Sequence, residues 1–297
     1  MIPPSYNVKK VEEGKKFYFI LPRFKPKIID YIINDNINIG KIVGVNLKTF
    51  DIMNLKHWDL FVEGILKLKS DEDTRIYIED TNKLPPEFLK TIEESTGLIF
   101  SSGDNIRMQN IPDLIKNIYK YKSKDCNTVD TLIISANKEK IIDVIKLLIA
   151  RINFFTVIGL EDSLKDEVYN EVFEYTGVSI FQPKNIDKII KNYGTIINFN
   201  EEVNIEKRNI RNECVIIDFS KTKPLKSLID TNKNVFYVED IYFKSNLQNK
   251  MIDTYVNSDL YVSLGNSEGT FDKIYVNGDL YTLSSYIKNV TRIRGRI

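Results

Sequence analysis

TLIISANKEKIIDVIKLLIARINFFTVI, residues 131–158, is the stretch whose reading decides the fold. It opens on a short β-branched run and passes through Ser135-Ala136-Asn137. Apolar residues at helical spacing follow over 138–150, and a second β-branched run closes it at 154–158. Strand, crossover helix and strand form the repeating unit of a parallel sheet. Outward from this unit the same alternation continues. The candidate strands are 17–21, 41–46, 75–78, 98–101, 131–135, 154–158, 178–181, 195–199, 214–219 and 235–238. Between them lie candidate helices at 27–34, 57–69, 86–95, 112–121, 138–150, 164–175 and 186–193. Pro86 and Pro112 stand where a first helical turn tolerates proline. The expected fold class is α/β with mainly parallel sheets.

A weak internal repeat with an offset of about 80 residues organises these elements. Thr49-Phe50-Asp51 aligns with Thr128-Val129-Asp130, and Glu94-Ser95-Thr96-Gly97 with Glu174-Tyr175-Thr176-Gly177. Duplication and coincident αβ periodicity both explain the pattern, since glycine is the usual residue just past a helix. The C-terminal part differs. Ile274-Tyr275-Val276-Asn277-Gly278-Asp279-Leu280-Tyr281 is a hairpin signal, because Asn-Gly supplies the two positive φ angles of a type I′ turn. Tyr255-Val256-Asn257-Ser258-Asp259-Leu260-Tyr261 nearly repeats it, so a small antiparallel unit is expected over 255–284. The expected domains are 1–125, 126–250 and an appendage at 251–297 comprising the hairpin and a basic tail.

Composition excludes more than it identifies. The 297 residues carry 42 basic and 41 acidic side chains, with 42% hydrophobic and 28% charged residues, which describes an ordinary globular protein. The balance offers no case for a nucleic-acid or anionic-membrane partner. Only Cys126 and Cys214 are present, not in a CxxC pair, so a disulfide framework is excluded and a cytoplasmic address is expected. No stretch approaches the roughly 18 apolar residues of a membrane span. With His57 as the single histidine, a metal site needing several histidines from one chain is excluded. The richness in Ile, Asn and Lys fits an AT-rich coding bias and carries no functional weight.

In a sheet of this kind ligands bind outside the carboxyl ends of the strands. The loops there carry Ser135-Ala136-Asn137, Glu161-Asp162, 182–184, 198–200, 218–220 and Glu239-Asp240. The order of elements, with Cys214-Val215-Ile216-Ile217-Asp218-Phe219, Lys223-Pro224-Leu225 and Val235-Phe236-Tyr237-Val238-Glu239-Asp240, resembles the NAD(P)-binding domain of dehydrogenases such as shikimate dehydrogenase and glutamyl-tRNA reductase. The resemblance covers about residues 129–245 and implies Rossmann-like halves, possibly duplicated. The phosphate loop departs from that family. A dinucleotide site uses G-x-G-x-x-G to let the backbone approach the pyrophosphate, whereas Ser135-Ala136-Asn137-Lys138-Glu139-Lys140 contains no glycine.

Within the resemblance, Glu161 or Asp162 is placed to hold a ribose hydroxyl and Asp218 lies near the nicotinamide end. Asp162-Ser163 also reads as a helix cap. Ser135 and Asn137 are candidates for a smaller anion, and Asn137 also reads as an N-cap. The polar cluster Ser101-Ser102-Gly103-Asp104-Asn105 is explained by turn chemistry alone. Cys126 sits among lysines, Cys214 reads as a buried small hydrophobe, and Trp58 reads as helix packing with His57 beside it. Glu93-Glu94 and Glu201-Glu202 need only solvation, and the arginines of 291–297 read as a solubilising tail. No acid, base, nucleophile or metal constellation emerges. The leading expectation is therefore a noncatalytic or regulatory protein that binds a protein partner and takes no cofactor. The alternative is a divergent NAD(P)-dependent oxidoreductase holding NAD or NADP in the 129–245 half, with a small molecule or nucleotide as its ligand.

Overall fold

The computed structural model describes residues 25–45, 54–203, 205, 209–227, 235–247, 249 and 251–292. The expected strand at 17–21 and the tail beyond 292 lie outside the described residues. The chain divides into two compact units: Met1–Gly103 with Lys244–Ser267, and Asp104–Phe243 with Glu268–Ile297. Among the described residues no helix is long and apolar enough to cross a membrane.

In the first unit, β1 (Lys27–Asn34) and β2 (Ile37–Gly44) pair antiparallel. The sequence reading placed a helix over 27–34, and the structure corrects it. Two register irregularities, between Ile28 and Asp30 and between Ile32 and Ile33, break the alternation and leave the isoleucines at helix-like spacing. Asp35 and Asn36, both at positive φ (48° and 65°), turn the chain within two residues, and β-branched isoleucine suits the strand. Helix α1 (Leu55–Leu68) is capped by Asn54, whose side chain accepts the Lys56 N–H. It packs on α2 (Pro86–Thr96) through Phe61, Val62, Ile65, Phe88 and Ile92, with the Trp58 ring 5.0 Å from that of Phe88. Trp58 is therefore a packing residue. Strands β3 (Arg75–Ile76) and β4 (Ile99–Phe100) run parallel beside these helices.

The second unit is built on six parallel strands: β5 (Thr131–Ile134), β6 (Phe155–Ile158), β7 (Ile180–Phe181), β8 (Thr195–Asn198), β9 (Val215–Asp218) and β10 (Phe236–Val238). Their spatial order is β7-β6-β5-β8-β9-β10, which is the 3-2-1-4-5-6 order of a doubly wound dinucleotide-binding sheet. Every residue of β5, β8, β9 and β10 is buried, as a sheet covered on both faces requires. Helices α3 (Asp104–Tyr121), α4 (Lys138–Leu148) and α5 (Asp162–Thr176) pack in sequence, α4 between the other two.

Three further expectations change. Helix α3 begins eight residues before Pro112, because the buried row Ile106, Ile111, Leu114, Ile115 and Ile118 continues through the proline. Asn110 assists there: its Nδ2 donates to Ile106 O at 2.8 Å and to Gly269 O at 3.0 Å. The helix expected over 186–193 shrinks to one 3₁₀ turn, Ile190–Asn192, after Asn185 accepts the Asp187 N–H in a local turn. The two Tyr-Val-Asn segments also diverge. Asn277-Gly278 (φ 49° and 95°) makes the expected hairpin between β13 (Lys273–Val276) and β14 (Asp279–Tyr281). Asn257, followed by Ser258 instead of glycine, ends β12 (Tyr255–Asn257) and caps the short helix α6 (Ser258–Ser263).

Strand β11 (Asp240–Lys244) pairs antiparallel with β13, and α7 (Leu283–Arg292) follows β14. Ile274, Val276, Tyr286, Ile287 and Val290 are all buried, and the Tyr286 hydroxyl accepts the Tyr237 N–H at 2.9 Å. The matching Thr-Gly pairs show identical capping. Thr96 and Thr176 each donate to the carbonyl four residues back at 2.6 Å, and Gly97 and Gly177 take φ of 67° and 72°. Helix termination alone accounts for this likeness.

Candidate functional site at the carboxyl edge of the parallel sheet

The strand order of the second unit reverses between β5 and β8, and a ligand crevice is expected at that point, outside the strand ends. The side chain of Asn200 lies there. Its Oδ1 accepts the Ala136 N–H at 2.7 Å. Its Nδ2 lies 2.7 Å from where a β-carbon on Gly159 would stand, with the Ser135 carbonyl 2.9 Å from the same point. Gly159, just past β6 with φ of +100°, is thus the residue that lets the carboxamide in. Asn198 holds the Asn200 backbone from both sides, accepting its N–H and donating to its carbonyl, each at 3.0 Å.

The same Asn198 Nδ2 donates to Asp218 Oδ1 at 2.8 Å. Asp218 is fully buried, and its carboxylate is enclosed by donors: Ser220 Oγ at 2.6 Å on Oδ1, and the Tyr237 hydroxyl at 2.9 Å with the Leu225 N–H at 3.2 Å on Oδ2. Burial raises the Tyr237 phenol above its ordinary pKa, and the Asp218 carboxylate adds to the effect. A line of hydrogen bonds therefore runs along the sheet edge from Tyr237 through Asp218, Asn198 and Asn200 to Ala136. Beside it, Lys223 takes a positive φ of 54° and its Nζ donates to the carbonyls of Asp218 (2.7 Å) and Glu239 (2.6 Å). Burial lowers the Lys223 ammonium from its usual range. Glu239, 4% exposed, accepts the Asn277 N–H at 2.6 Å and pairs with Lys226 at 3.2 Å.

The predicted site residues fall on this edge in two groups. Ser135 is buried, its Oγ accepting the Asn137 N–H at 3.0 Å; Asn137 caps α4 by accepting the Lys140 N–H at 2.8 Å. These two adjoin Asn200 and connect through it to Asp218. Glu161 and Asp162 stand apart at the start of α5, both exposed. Glu161 occupies the N-cap position without a side-chain cap bond, and Asp162 pairs with Lys165 at 2.5 Å, which lowers its carboxyl pKa. Asn200 lies in the strand-end loop 198–200, and Lys223 and Tyr237 lie in the segments that carry the resemblance, yet none of them stands out as a site residue in the sequence. Gly159 escapes the sequence reading, although a glycine directly after a β-branched strand is a visible signal.

The arrangement permits a test of fit for a dinucleotide. The loop amides of Ala136, Asn137 and Lys140 are all taken by the protein's own oxygens, and the space against Ala136 is filled by the Asn200 carboxamide. A pyrophosphate does not fit while Asn200 stays in place. Near the crevice, Lys140 Nζ pairs with Asp104 at 2.6 Å and lies 5.6 Å from the Phe199 ring centre, while Arg107 pairs with Asp104 and Asp240, each at 3.0 Å. Among the described residues no cluster of three or more His, Cys, Asp or Glu is arranged to hold a metal.

At the opposite edge, Lys122 donates to Glu213 O at 2.5 Å and lies over the Tyr119 ring. Burial lowers its pKa to about 8. An unfolded lysine titrates near 10.5, so between about 8 and 10.5 the unfolded chain binds the extra proton and rising pH favours the folded chain. Urea unfolding of wild type and Lys122→Met checks this. Wild type is expected to gain about 2 kcal/mol relative to the variant across that window, after a discount for partial exposure, and nothing below it. Cys214, buried nearby, has its thiol pushed up to about 12 by the same desolvation.

No protein-family model matches the chain, and no curated protein matches it in sequence. Solved structures it is similar to include shikimate 5-dehydrogenase from Listeria monocytogenes in complex with shikimate and NAD, at 10% identity over 44% of this chain and 52% of that one, TM-score 0.35. Quinate dehydrogenase from Corynebacterium glutamicum in complex with NAD matches at 11% identity over 48% of this chain and 53% of that one, TM-score 0.35. L-tryptophan dehydrogenase from Nostoc punctiforme matches at 11% identity over 86% of this chain and 67% of that one, TM-score 0.40. The chain spans about half the length of the first two.

Residues 129–245 carry a Rossmann-type fold without its glycine fingerprint, as the sequence resemblance implied. The expectation of no cofactor is corrected by the strand order, which is that of a dinucleotide-binding sheet, and NAD or NADP is taken up as a proposal below.

Proposed function

We propose that the second unit is the dinucleotide-binding part of a divergent NAD(P)-dependent oxidoreductase, with the crevice between β5 and β8 as the cofactor site. The single observation that supports this reading is the 3-2-1-4-5-6 order of the parallel sheet, which reverses between β5 and β8, the point where sheets of this order bind their ligands. Glu161 and Asp162, exposed at the end of the second strand of the motif, are assigned to the ribose hydroxyls. Asp218, enclosed by its own donors, acts as a positioning residue. Calorimetric titration with NADH and NADPH tests the reading. Binding at micromolar to submillimolar ligand is expected, and replacing both Glu161 and Asp162 by alanine weakens it about five- to tenfold. Unchanged affinity in the double variant removes that assignment, and no heat with either dinucleotide at millimolar concentration removes the reading.

A second proposal, a regulatory protein that binds a protein partner, draws support from the loop amides already satisfied within the chain. Because Ile274, Tyr286 and Val290 are buried, surface substitutions test it more cleanly than deletion of 255–297. The division at 1–125, 126–250 and 251–297 is likewise kept as a proposal about folding domains.

A further inference from the structure

We infer that the outward face of α5 is a docking surface for residues 292–296 of a second copy of this chain, so that the protein associates head to tail. The inference is independent of the dinucleotide reading. Asp166, Tyr169, Asn170, Phe173 and Glu174 share the face of α5 turned away from the buried Val168 and Val172. The solvent face of a helix is ordinarily polar, yet Phe173 stands in the middle of this one, 49% exposed. The Tyr169 ring lies parallel beside it, with centres 6.3 Å apart and planes within 3° of each other. The patch is also acidic: residues 162–181 carry five carboxylates and one lysine. Lys165 pairs with Asp162, and Lys138 pairs with Glu167 and Glu171. Among the described residues Asp166 and Glu174, on the same face as the two rings, have no ion-pair partner.

An acidic aromatic face suits arginine, whose guanidinium stacks on a ring while donating to a carboxylate. The chain carries the complement itself. Three of its nine arginines fall within residues 292–296, separated by Ile293 and Gly295 and without an acidic residue among them. With 42 basic and 41 acidic side chains overall, the attraction between copies is local to these two segments. The arginines cannot serve their own α5. Helix α7 packs beside α3, and its Tyr286 bonds to β10, at the end of the sheet opposite β7. With α3 and α4 between them, three interaxial spacings set α5 about 24–30 Å from α7. Arg296 stands beyond the end of α7 at Arg292 by about 14 Å of fully extended chain. The contact therefore forms between copies. Because it joins two different surfaces, it leaves one of each free and propagates until a ring closes.

The experiment follows self-association of the full chain by sedimentation velocity, from micromolar to millimolar protein, at low and high salt. Wild type is compared with a tail variant, Arg294→Ser with Arg296→Ser, and a face variant, Asp166→Lys with Glu174→Lys. Asp166 and Glu174 are exposed, so their exchange leaves the core untouched, and near-UV circular dichroism confirms native packing in each protein. Wild type is expected to grow past the dimer as concentration rises at low salt. High salt is expected to weaken association about tenfold, since exposed charges are screened. Each variant is expected to weaken it about as much. An equimolar mixture of the two variants is expected to stop at one heterodimer, the intact tail of the face variant seated on the intact face of the tail variant. A wild type that stays monomeric at millimolar concentration overturns the inference. So does association that survives in either variant, which places the contact on another surface, and so does a mixture without the heterodimer.

Discussion

Asp218→Ala is expected to destabilise the second unit by about 3–5 kcal/mol, read from the denaturation midpoint and slope. The carboxylate is 0% exposed and is the shared acceptor for Asn198 Nδ2, Ser220 Oγ, the Leu225 N–H and the Tyr237 hydroxyl. Removing it strands several buried donors at once, each costing about 1–3 kcal/mol when left unpaired, and the partners relax only in part. Asp218→Asn keeps the shape but turns one acceptor into a donor facing other donors, so it is expected to recover less than half of the loss. A cost below about 1 kcal/mol for alanine would show that Asp218 is not the hub described here. The same variant separates positioning from ligand contact. If Asp218 acts only through Asn198 and Asn200, the folded fraction of Asp218→Asn keeps NADH affinity within a few-fold while hydrogen exchange at the Ala136 amide rises.

Gly159→Val is the second large effect, at about 3–4 kcal/mol. A non-glycine residue at φ of +100° is strained by about 1–3 kcal/mol before any contact is considered. The added β-carbon then meets Asn200 Nδ2 at 2.7 Å and the Ser135 carbonyl at 2.9 Å. The carboxamide is the far end of a flexible side chain and can retreat, whereas the carbonyl belongs to the backbone beside β5. Gly159→Ala is expected to cost about 2 kcal/mol and to speed exchange at Ala136 by displacing Asn200. A stable Gly159→Val with protected Ala136 would contradict the packing described.

The sequence located most of the second unit because its strands are short β-branched runs buried on both faces. The readings 131–135, 154–158, 195–199, 214–219 and 235–238 each overlap the observed strand within about two residues. What failed depended on information beyond the local run. β1 reads as a helix because its register irregularities break the alternation, and those are set by its pairing with β2. Asn257 and Asn277 share their neighbours on one side yet part company on the residue that follows, serine or glycine, and turn chemistry separates a helix cap from a hairpin at that residue.

The site was legible as a set of loops and illegible as a network. Ser135, Asn137 and Asp218 were picked because they end strands, and their positions on the edge follow from that alone. Their connection runs through Asn198 and Asn200, and it exists only because β8 lies between β5 and β9, an order that no local pattern records. Glu161 and Asp162 were equally visible as helix-opening carboxylates, and the structure leaves them exposed at the start of α5.

Dinucleotide binding at the carboxyl edge between β5 and β8 is decided by an NMR titration of isotopically labelled protein with NADH, following the amides of Ser135, Ala136, Gly159 and Asn200. Saturable shifts centred on these four residues are expected, with smaller shifts at Glu161 and Asp162 and none at the Lys122 edge. Shifts absent at millimolar NADH, or centred away from the carboxyl edge of the sheet, would contradict it.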